Sequence, residues 1–485
     1  MPSPPGKIAL IGEARGEFLF LRMVAEQIRA IAGAESAIQV ELDPRDLSEQ
    51  ERRNCVVPAL EPEFQAAMEL PAAKLPGHVR QLERKFDIPN LRRLWRGDLQ
   101  VWRDGVDEDA MARQAIGYLT VFDRMFGDDP DLVGGFAEES ARLIKRAFRA
   151  VARHHGRRML VTIGLPIPER VVFVDQENFT EYLPPYDEFR PAPEQMAAAA
   201  RYAEQVRSSE VKFANPRDLS FDMKRLSNFM RLAWRSSARR EPGSANAHLR
   251  FFAHDYVVQR MRMAAMNRFT DQAPSGDRSV FYPLHFVHDS NVTIRAEAYR
   301  DQIALIEYLA HSLPYGYRLW VKPHPAAAGD LPVSKLRGLE RRIANVRVAH
   351  PSVPAMHLLK QVSAVVTLSS TTGFEALVLG KPVVTLGEAP YAYYGLTHNV
   401  RDPATLPRVL ASVLSGDGPP IEAVERLIAY YMAIGHQLTP SWVEPGRRSA
   451  TQYAEALANL FGLAATSSPL TAISAGGVAP DNSGD

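Results

Sequence analysis

The stretch Val365–Ala376, which reads Val-Val-Thr-Leu-Ser-Ser-Thr-Thr-Gly-Phe-Glu-Ala, decides the fold of this chain. Its β-branched apolar residues predict a buried strand, and the hydroxyl residues and glycine that follow predict a helix over 372–379. The free backbone N–H groups at such a helix start form a natural seat for phosphate. The alternative is that Ser369, Ser370 and Thr371 only cap this helix.

A second turn with phosphate-binding character lies upstream. The apolar strand pattern 317–321 ends in Lys322–Pro325, which reads Lys-Pro-His-Pro. The prolines stiffen the turn and present an ammonium and an imidazole at fixed geometry, although His324 could instead have a structural role. In an open parallel sheet both turns emerge at the same carboxyl edge, where such folds bind ligands. The sequence therefore predicts one phosphate site built from the two turns.

Other residues near these turns are candidates for the same site. Thr372, Gly373 and Glu375 follow the Ser-Thr turn, and Glu375 could bind ligand hydroxyls such as those of a ribose or cap neighbouring loops. Asp289 follows the strand pattern 280–287 and could act as nucleophile, base or orienting group, or simply cap a turn. No CxxC or HExxH pattern occurs, and no clustered DxD lies near the turns, so no metal is expected.

Strand and helix patterns alternate regularly in the second half of the chain. Strands are predicted at 280–287, 317–321, 345–349, 364–368 and 382–386, and helices at 299–313, 333–343, 354–361, 372–379, 404–414, 420–435 and 448–461. Short connections between them are typical of right-handed βαβ units in a parallel sheet.

The first half predicts a second α/β unit. Strands are predicted at 7–12, 39–42, 158–163 and 171–175, a helix at 17–32, and mostly helix over 60–157. Gly12–Gly16 is not the GxGxxG fingerprint, so no NAD site is assigned.

These patterns divide the chain into four parts. They are an α/β acceptor-side domain at 1–185, a helical insert at 186–278, a Rossmann-like domain at 279–463 and a disordered tail at 464–485. The insert is rich in arginine: Arg217, Arg225, Arg231, Arg235, Arg239 and Arg240. These arginines form either a solvated helix face or a basic patch for an anionic acceptor or lipid surface.

Composition narrows the function classes. A formal net charge of +1 argues against a dedicated nucleic-acid binder, and the single Cys55 fits a reducing compartment. The N-terminus lacks the apolar core of a signal peptide, and no run of about 18 apolar residues suggests a membrane span. The sequence predicts a cytoplasmic protein, with peripheral contact at the inner face of the cell membrane or with export machinery as a further option.

Several motifs resemble the capsule polysaccharide biosynthesis family, which includes bacterial Kdo transferases and whose cleft is similar to that of bacterial sialyltransferases. The motifs are Tyr282–Phe286, Asp301-Gln302, Val321–Pro325, Ser369–Pro382 and Gly387–Tyr391. The resemblance implies a GT-B fold, with two Rossmann-like domains facing a cleft, and a CMP-activated acidic sugar donor. It also implies that His324 and Ser369-Ser370 hold the CMP.

Two motifs of the family are altered in this chain. The Gln-x-Glu motif falls on Val287–Asp289, which places Asp289 at the acidic and potentially catalytic position. The Glu-x-Gly-x-x-Arg turn falls near Leu165–Arg170, where Glu169 is shifted. Glu13 or Glu169 would then project from the facing domain as acid/base.

The resemblance implies a glycosyltransferase that moves Kdo or a related acidic sugar from CMP onto a capsular polysaccharide or its lipid-linked precursor. Its partners would be a nucleotide-sugar donor and a glycan or glycolipid acceptor, with no tightly bound cofactor. Two alternatives remain open at this point. One is a CMP-releasing polyol-phosphate transferase of the teichoic-acid type, and the other is a non-catalytic scaffold that binds a nucleotide sugar or glycan in an export system.

Overall fold

The computed structural model describes residues 6–463 apart from 14, 42–46, 54, 99–106, 176–177, 210–257, 267–268, 270–277, 288, 325–328, 330 and 439–445. Most of the predicted insert, including Arg217, Arg225, Arg231, Arg235, Arg239 and Arg240, lies outside the described residues, and so does the predicted tail 464–485. None of the described helices is long and apolar enough to cross a membrane.

The first sheet has six strands in the order β12-β5-β4-β3-β1-β2. They are β1 (Lys7–Gly12), β2 (Ala37–Glu41), β3 (Leu132–Glu138), β4 (Arg158–Gly164), β5 (Arg170–Asp175) and β12 (His436–Gln437). Strands β2, β1, β3 and β4 are parallel, whereas β5 and β12 each run antiparallel to their neighbour.

The second sheet is parallel throughout and has the order β11-β10-β9-β6-β7-β8. Its strands are β6 (Ser279–Pro283), β7 (Arg318–Lys322), β8 (Val346–Val348), β9 (Ala364–Thr367), β10 (Val383–Thr385) and β11 (His398–Asn399). This is the doubly wound order, in which the chain reverses its direction of growth between β6 and β9. The predicted α/β class and the GT-B-like arrangement of two Rossmann-like domains around a cleft are confirmed.

Helices cover both sheets. In chain order they are α1 (Arg15–Ala32), α2 (Glu49–Arg53), α3 (Pro62–Met68), α4 (Leu75–Lys85), α5 (Glu108–Asp128), α6 (Leu143–His154), α7 (Pro193–Arg207), α8 (Gln259–Met266), α9 (Ser290–Thr293), α10 (Gln302–Ser312), α11 (Val333–Arg342), α12 (Ala355–Gln361), α13 (Thr371–Val378), α14 (Leu406–Val413), α15 (Ile421–Ile434) and α16 (Arg447–Phe461).

The last two described elements, β12 and α16, return to the first domain. Strand β12 pairs with β5, and α16 packs against α1. Tyr453 and Leu457 of α16 share one buried cluster with Ile8 of β1 and Phe20 of α1. From the sequence we assigned 436–463 to the second domain, because no local feature distinguishes a helix that packs on the first domain from one that packs on the second. Similarly, α7 belongs to the predicted insert but packs on α13 and α15 of the second domain.

The expectation that 60–157 is mostly helical is wrong at β3. This strand contains Gly134 and Gly135, which weaken the strand pattern in the sequence. A Cβ atom on Gly135 would lie 2.6 Å from Cε1 of Phe148 and 2.9 Å from the carbonyl oxygen of Ala9. The glycine therefore allows α6 to press its phenylalanine onto a central strand, a requirement that appears only in three dimensions.

This close approach predicts that Gly135→Ala destabilises the first domain by about 2 kcal/mol, because an added methyl group overpacks the contact with Phe148. Gly338→Ala is the matched control, since Gly338 lies within α11 with open space around it, and the gain in helix propensity should stabilise by about 0.5–1 kcal/mol. Chemical denaturation followed by circular dichroism measures both. Equal midpoints for Gly135→Ala and the wild type would contradict the packing argument.

Candidate functional site

A cavity of about 800 Å³ lies between the carboxyl ends of the two sheets. The first domain contributes residues at or after the carboxyl ends of β1, β3 and β4, among them Glu17, Glu138, Glu139 and Thr162. The second domain contributes residues that follow β6, β7 and β9, among them His285, Asp289, Arg295, His324, Ser369, Ser370 and Thr371. The structure thus brings the Ser-Thr turn and His324 to one cavity, at the switch point of the second sheet.

The Ser-Thr turn caps α13 and also faces the cavity. The Oγ of Ser370 accepts the N–H of Thr372 at 3.1 Å, and the N–H of Ser370 donates to Oγ1 of Thr367 at 3.1 Å. The N–H of Thr371 has no acceptor among the described residues. Capping and a free N–H group therefore coexist at this helix start, and the second feature suits an anionic ligand.

His324 lines the cavity with its imidazole partly buried. Burial lowers the pKa of His324 below its ordinary value, Lys322 lowers it further, and Asp289 opposes both. The ring is therefore neutral near pH 7. A neutral imidazole can donate one hydrogen bond to a phosphate oxygen without adding a charge.

Lys322 and Glu375 are buried and do not line the cavity, contrary to their predicted place in the ligand site. Burial lowers the pKa of Lys322 to about 8, with Glu375 opposing the shift. Burial raises the pKa of Glu375 to about 7, with Lys322 opposing it. Each residue thus offsets part of the desolvation of the other.

Gly373 and Thr372 also lie off the cavity lining. A Cβ atom on Gly373 would lie 2.1 Å from the hydroxyl oxygen of Tyr391. That hydroxyl donates to the carbonyl oxygen of Ser370. Gly373 is therefore needed because a side chain there would displace Tyr391, whose hydroxyl is hydrogen-bonded to the turn. The motif alone did not reveal this packing role.

Asp289 has the capping role that the sequence offered, and it also lies at the cavity. It caps α9 by accepting the N–H of Asn291 at 2.9 Å, and it lines the cavity. Its role in catalysis stays a prediction.

The structure places both predicted first-domain acids off the cavity. Glu13 accepts a hydrogen bond from the hydroxyl of Ser140 at 2.6 Å and lies 3.2 Å from the ammonium of Lys145. Burial raises its pKa, but Lys145, Ser140 and Arg142 outweigh burial, so that the pKa of Glu13 is lowered and the group is ionised. Glu169 is exposed in the turn between β4 and β5, at φ 57°.

Other carboxylates occupy the first-domain wall instead. Glu17 accepts a hydrogen bond from Lys145 at 2.8 Å, and Glu138 accepts one from the hydroxyl of Thr162 at 2.9 Å. Burial raises the pKa of Glu17, Lys145 opposes this shift and Glu13 adds to it. Sequence reasoning missed Glu138 and Glu139 because they lie at the end of β3, the strand that was not predicted. Glu17 lies in the first turn of α1, where an acid is ordinary.

An ion pair closes the cavity between the domains. Glu139 of the first domain accepts two hydrogen bonds from Arg295 of the second, at 3.1 and 3.0 Å, and one from Ser290 at 2.9 Å. The side chains of Arg295 and Glu139 are only 6% and 13% exposed. Arg295 also donates to the carbonyl oxygen of Glu388 at 3.3 Å, so the pair is tied into the loop after β10.

The described residues include one group with metal-ligand spacing, made of Asp123, His154 and His155. It lies on α5 and α6, outside the cavity lining, and the ammonium of Lys85 already contacts Asp123. This group therefore offers nothing to the cavity chemistry.

Comparisons with known proteins give the following. Residues 218–405 match the family described as capsule polysaccharide biosynthesis protein. The chain is 28% identical over 140 residues to the capsule polysaccharide export protein KpsS of Escherichia coli, which covers 29% of this chain and 33% of that protein. It is 27% identical over 131 residues to the capsule polysaccharide modification protein LipA of Neisseria meningitidis, over 26% of this chain and 17% of that protein. The matches thus span a third or less of these curated relatives.

Similar solved structures include the β-Kdo 2,4 transferase KpsC of Thermosulfurimonas dismutans. The TM-score is 0.34 at 16% identity, over 61% of this chain and 79% of that chain. Anabaena HepE in complex with UDP-glucose gives a TM-score of 0.28 at 12% identity, over 94% of this chain and all of that chain (100%). Likeness at this level identifies neither substrate nor activity.

The ion pair across the cleft predicts that Glu139→Gln weakens the contact between the domains. Removing one partner of a buried pair costs about 3 kcal/mol, because the remaining charge stays desolvated. The charge swap Glu139→Arg with Arg295→Glu should recover part of this loss. Thermal unfolding measures stability, and small-angle scattering measures the opening of the domains.

Glu307→Gln is the control for this prediction, because Glu307 forms an exposed pair with Arg342 at 3.0 Å, and surface pairs contribute little. If Glu139→Gln changed stability and shape no more than Glu307→Gln does, the ion pair would have no part in holding the cleft.

Proposed function

We propose, on the premise that residues 218–405 belong to the capsule polysaccharide biosynthesis family, that this chain is a glycosyltransferase that uses a CMP-activated donor, CMP-Kdo or a related acidic sugar. Its acceptor would be a capsular polysaccharide or the lipid-linked precursor of one. The observation that carries the proposal is the cavity in which a phosphate seat on the second domain faces carboxylates on the first. No tightly bound cofactor is part of the proposal.

The second domain would hold the nucleotide phosphate. The N–H of Thr371, the hydroxyl groups of the Ser-Thr turn and the positive end of the α13 dipole favour an anion at this place. His324 would donate a hydrogen bond to the phosphate as it leaves. Because the imidazole is neutral, it adds a directed donor and leaves the charge to the helix terminus.

Transfer forms a bond from an acceptor hydroxyl oxygen to the anomeric carbon and breaks the bond from that carbon to the phosphate oxygen. The hydroxyl proton must go to a base, and the leaving phosphate must be stabilised. Glu17 and Glu138 replace Glu13 and Glu169 as the candidate acid/base groups, since they lie on the cavity wall. Asp289 faces them from the second domain as candidate nucleophile or base.

The nucleotide preference tests the donor class. We expect CMP to bind at least tenfold more tightly than UDP or GDP, because the resemblance that gives the site residues belongs to CMP-dependent enzymes. Isothermal titration of the purified chain with each nucleotide measures this. A chain that binds UDP or GDP and ignores CMP would overturn the proposed donor.

His324→Ala should lower the transfer rate by about 100-fold or more and weaken CMP binding, because a preorganised donor to the leaving phosphate is lost. His311→Ala is the control, since His311 is exposed on α10 away from the cavity. CMP release in the presence of donor and acceptor, with thermal unfolding to show that the fold survives, gives the comparison. Transfer by His324→Ala at the wild-type rate would remove His324 from the mechanism.

A further inference from the structure

His285 lies at the end of β6 with its backbone held from both sides by one amide side chain. The N–H of His285 donates to Oε1 of Gln302 at 2.8 Å, and Nε2 of Gln302 donates to the carbonyl oxygen of His285 at 3.0 Å. The hydroxyl of Tyr282 donates to the same Oε1 at 3.3 Å. Tyr282 and Gln302 are fully buried and His285 is 7% exposed, so water does not compete for these hydrogen bonds.

The imidazole of His285 reaches the Ser-Thr turn. Its Nε2 accepts the backbone N–H of Ser369 at 3.3 Å and lies 3.4 Å from Oγ1 of Thr367. Burial, with His324 adding to the shift and the backbone of Pro283 opposing it, lowers the pKa of His285 to about 3. The ring is therefore neutral over the whole physiological range, with Nε2 available as an acceptor.

This contact completes the hydrogen bonding of the turn. The acceptors of the turn's N–H groups are Nε2 of His285 for Ser369, Oγ1 of Thr367 for Ser370, Oγ of Ser370 for Thr372 and the carbonyl oxygen of Ser370 for Gly373. The N–H of Thr371 is left for a ligand among the described residues. If Ser369 lost this acceptor, its N–H would be buried without a partner, and the start of the turn that positions the Thr371 N–H would be held less firmly.

We propose that His285 is a positioning residue of the nucleotide site, acting through Ser369 to fix the turn that binds the phosphate. Gln302 sets the position of His285, and His285 in turn sets the position of Ser369. This inference rests on the proposed function in that the ligand of the turn is taken to be a nucleotide phosphate. None of the sequence motifs assigned a role to His285 or Gln302.

Two substitutions test whether the hydrogen-bond acceptor must lie at the position of the imidazole Nε2. In His285→Gln the Oε1 atom falls near the position of the imidazole Nε2, whereas in His285→Asn the Oδ1 atom falls near that of Nδ1. We expect the CMP dissociation constant of His285→Gln to stay within about threefold of the wild type. That of His285→Asn should rise at least tenfold, while the turnover at saturating donor falls much less.

Hydrogen exchange of the amides in 364–374 gives a readout that needs no nucleotide. We expect faster exchange at Ser369 in His285→Asn than in the wild type, and wild-type exchange in His285→Gln. If His285→Asn does not fold, Gln302→Met replaces it, because it keeps the volume, removes the clamp on His285 and should raise exchange at Ser369 in the same way.

The CMP affinities and the Ser369 exchange rates together distinguish support for this inference from its refutation. Weaker CMP binding and faster Ser369 exchange in His285→Asn, with both restored in His285→Gln, support the inference. Equal CMP affinity and equal exchange in the two variants overturn it. A wild-type chain that binds no nucleotide defeats the proposed function, and the exchange measurement alone then decides whether His285 fixes the turn.

Discussion

The parallel pairing of β6 with β9 is the constraint on which the site depends. Val280 pairs with Ala364 and Phe281 with Val365, so two segments far apart in sequence end side by side. The loop that begins at Leu284 therefore meets the turn that begins at Leu368. Because the chain switches direction of growth here, no helix covers the gap and a cavity remains. The His285–Ser369 contact exists only because these two strand ends are neighbours.

The facing domain completes the cavity and is held in several ways. The chain returns after α15 to add β12 and α16 to the first domain. Ile163 of β4 and Val172 of β5 share one buried apolar cluster with Phe374 of α13. The buried pair of Glu139 and Arg295 is a further contact. Such a pair gains little net stability after desolvation, but it fixes one relative orientation of its partners. It therefore suits a cleft whose width must match a ligand.

The two walls of the cavity differ in the charge of their side chains. On the second domain, His285 and His324 are neutral because burial lowers the pKa of each, so the proposed phosphate site would depend on the helix dipole and on directed hydrogen-bond donors. On the first domain, Glu13 and Glu17 share the buried ammonium of Lys145. Arg142 also lies near Glu13, whereas at Glu17 burial and the charge of Glu13 outweigh Lys145, so the pKa rises at Glu17, the carboxylate that reaches the cavity.

The sequence alone determined the second sheet almost strand for strand, because alternating apolar runs and short connections leave few arrangements of a parallel sheet. It also identified Ser369, Ser370, Thr371, His324 and Asp289 as cavity residues, since residues that follow parallel strands share one edge. What it could not determine depends on distance between remote segments. Gly135 and Gly373 are set by the rings that pack on them, and Glu13 is withdrawn from the cavity by Lys145 while Glu17 remains. Only the tertiary structure could decide these points, because contacts between residues that are remote in sequence produce no periodic pattern in the sequence.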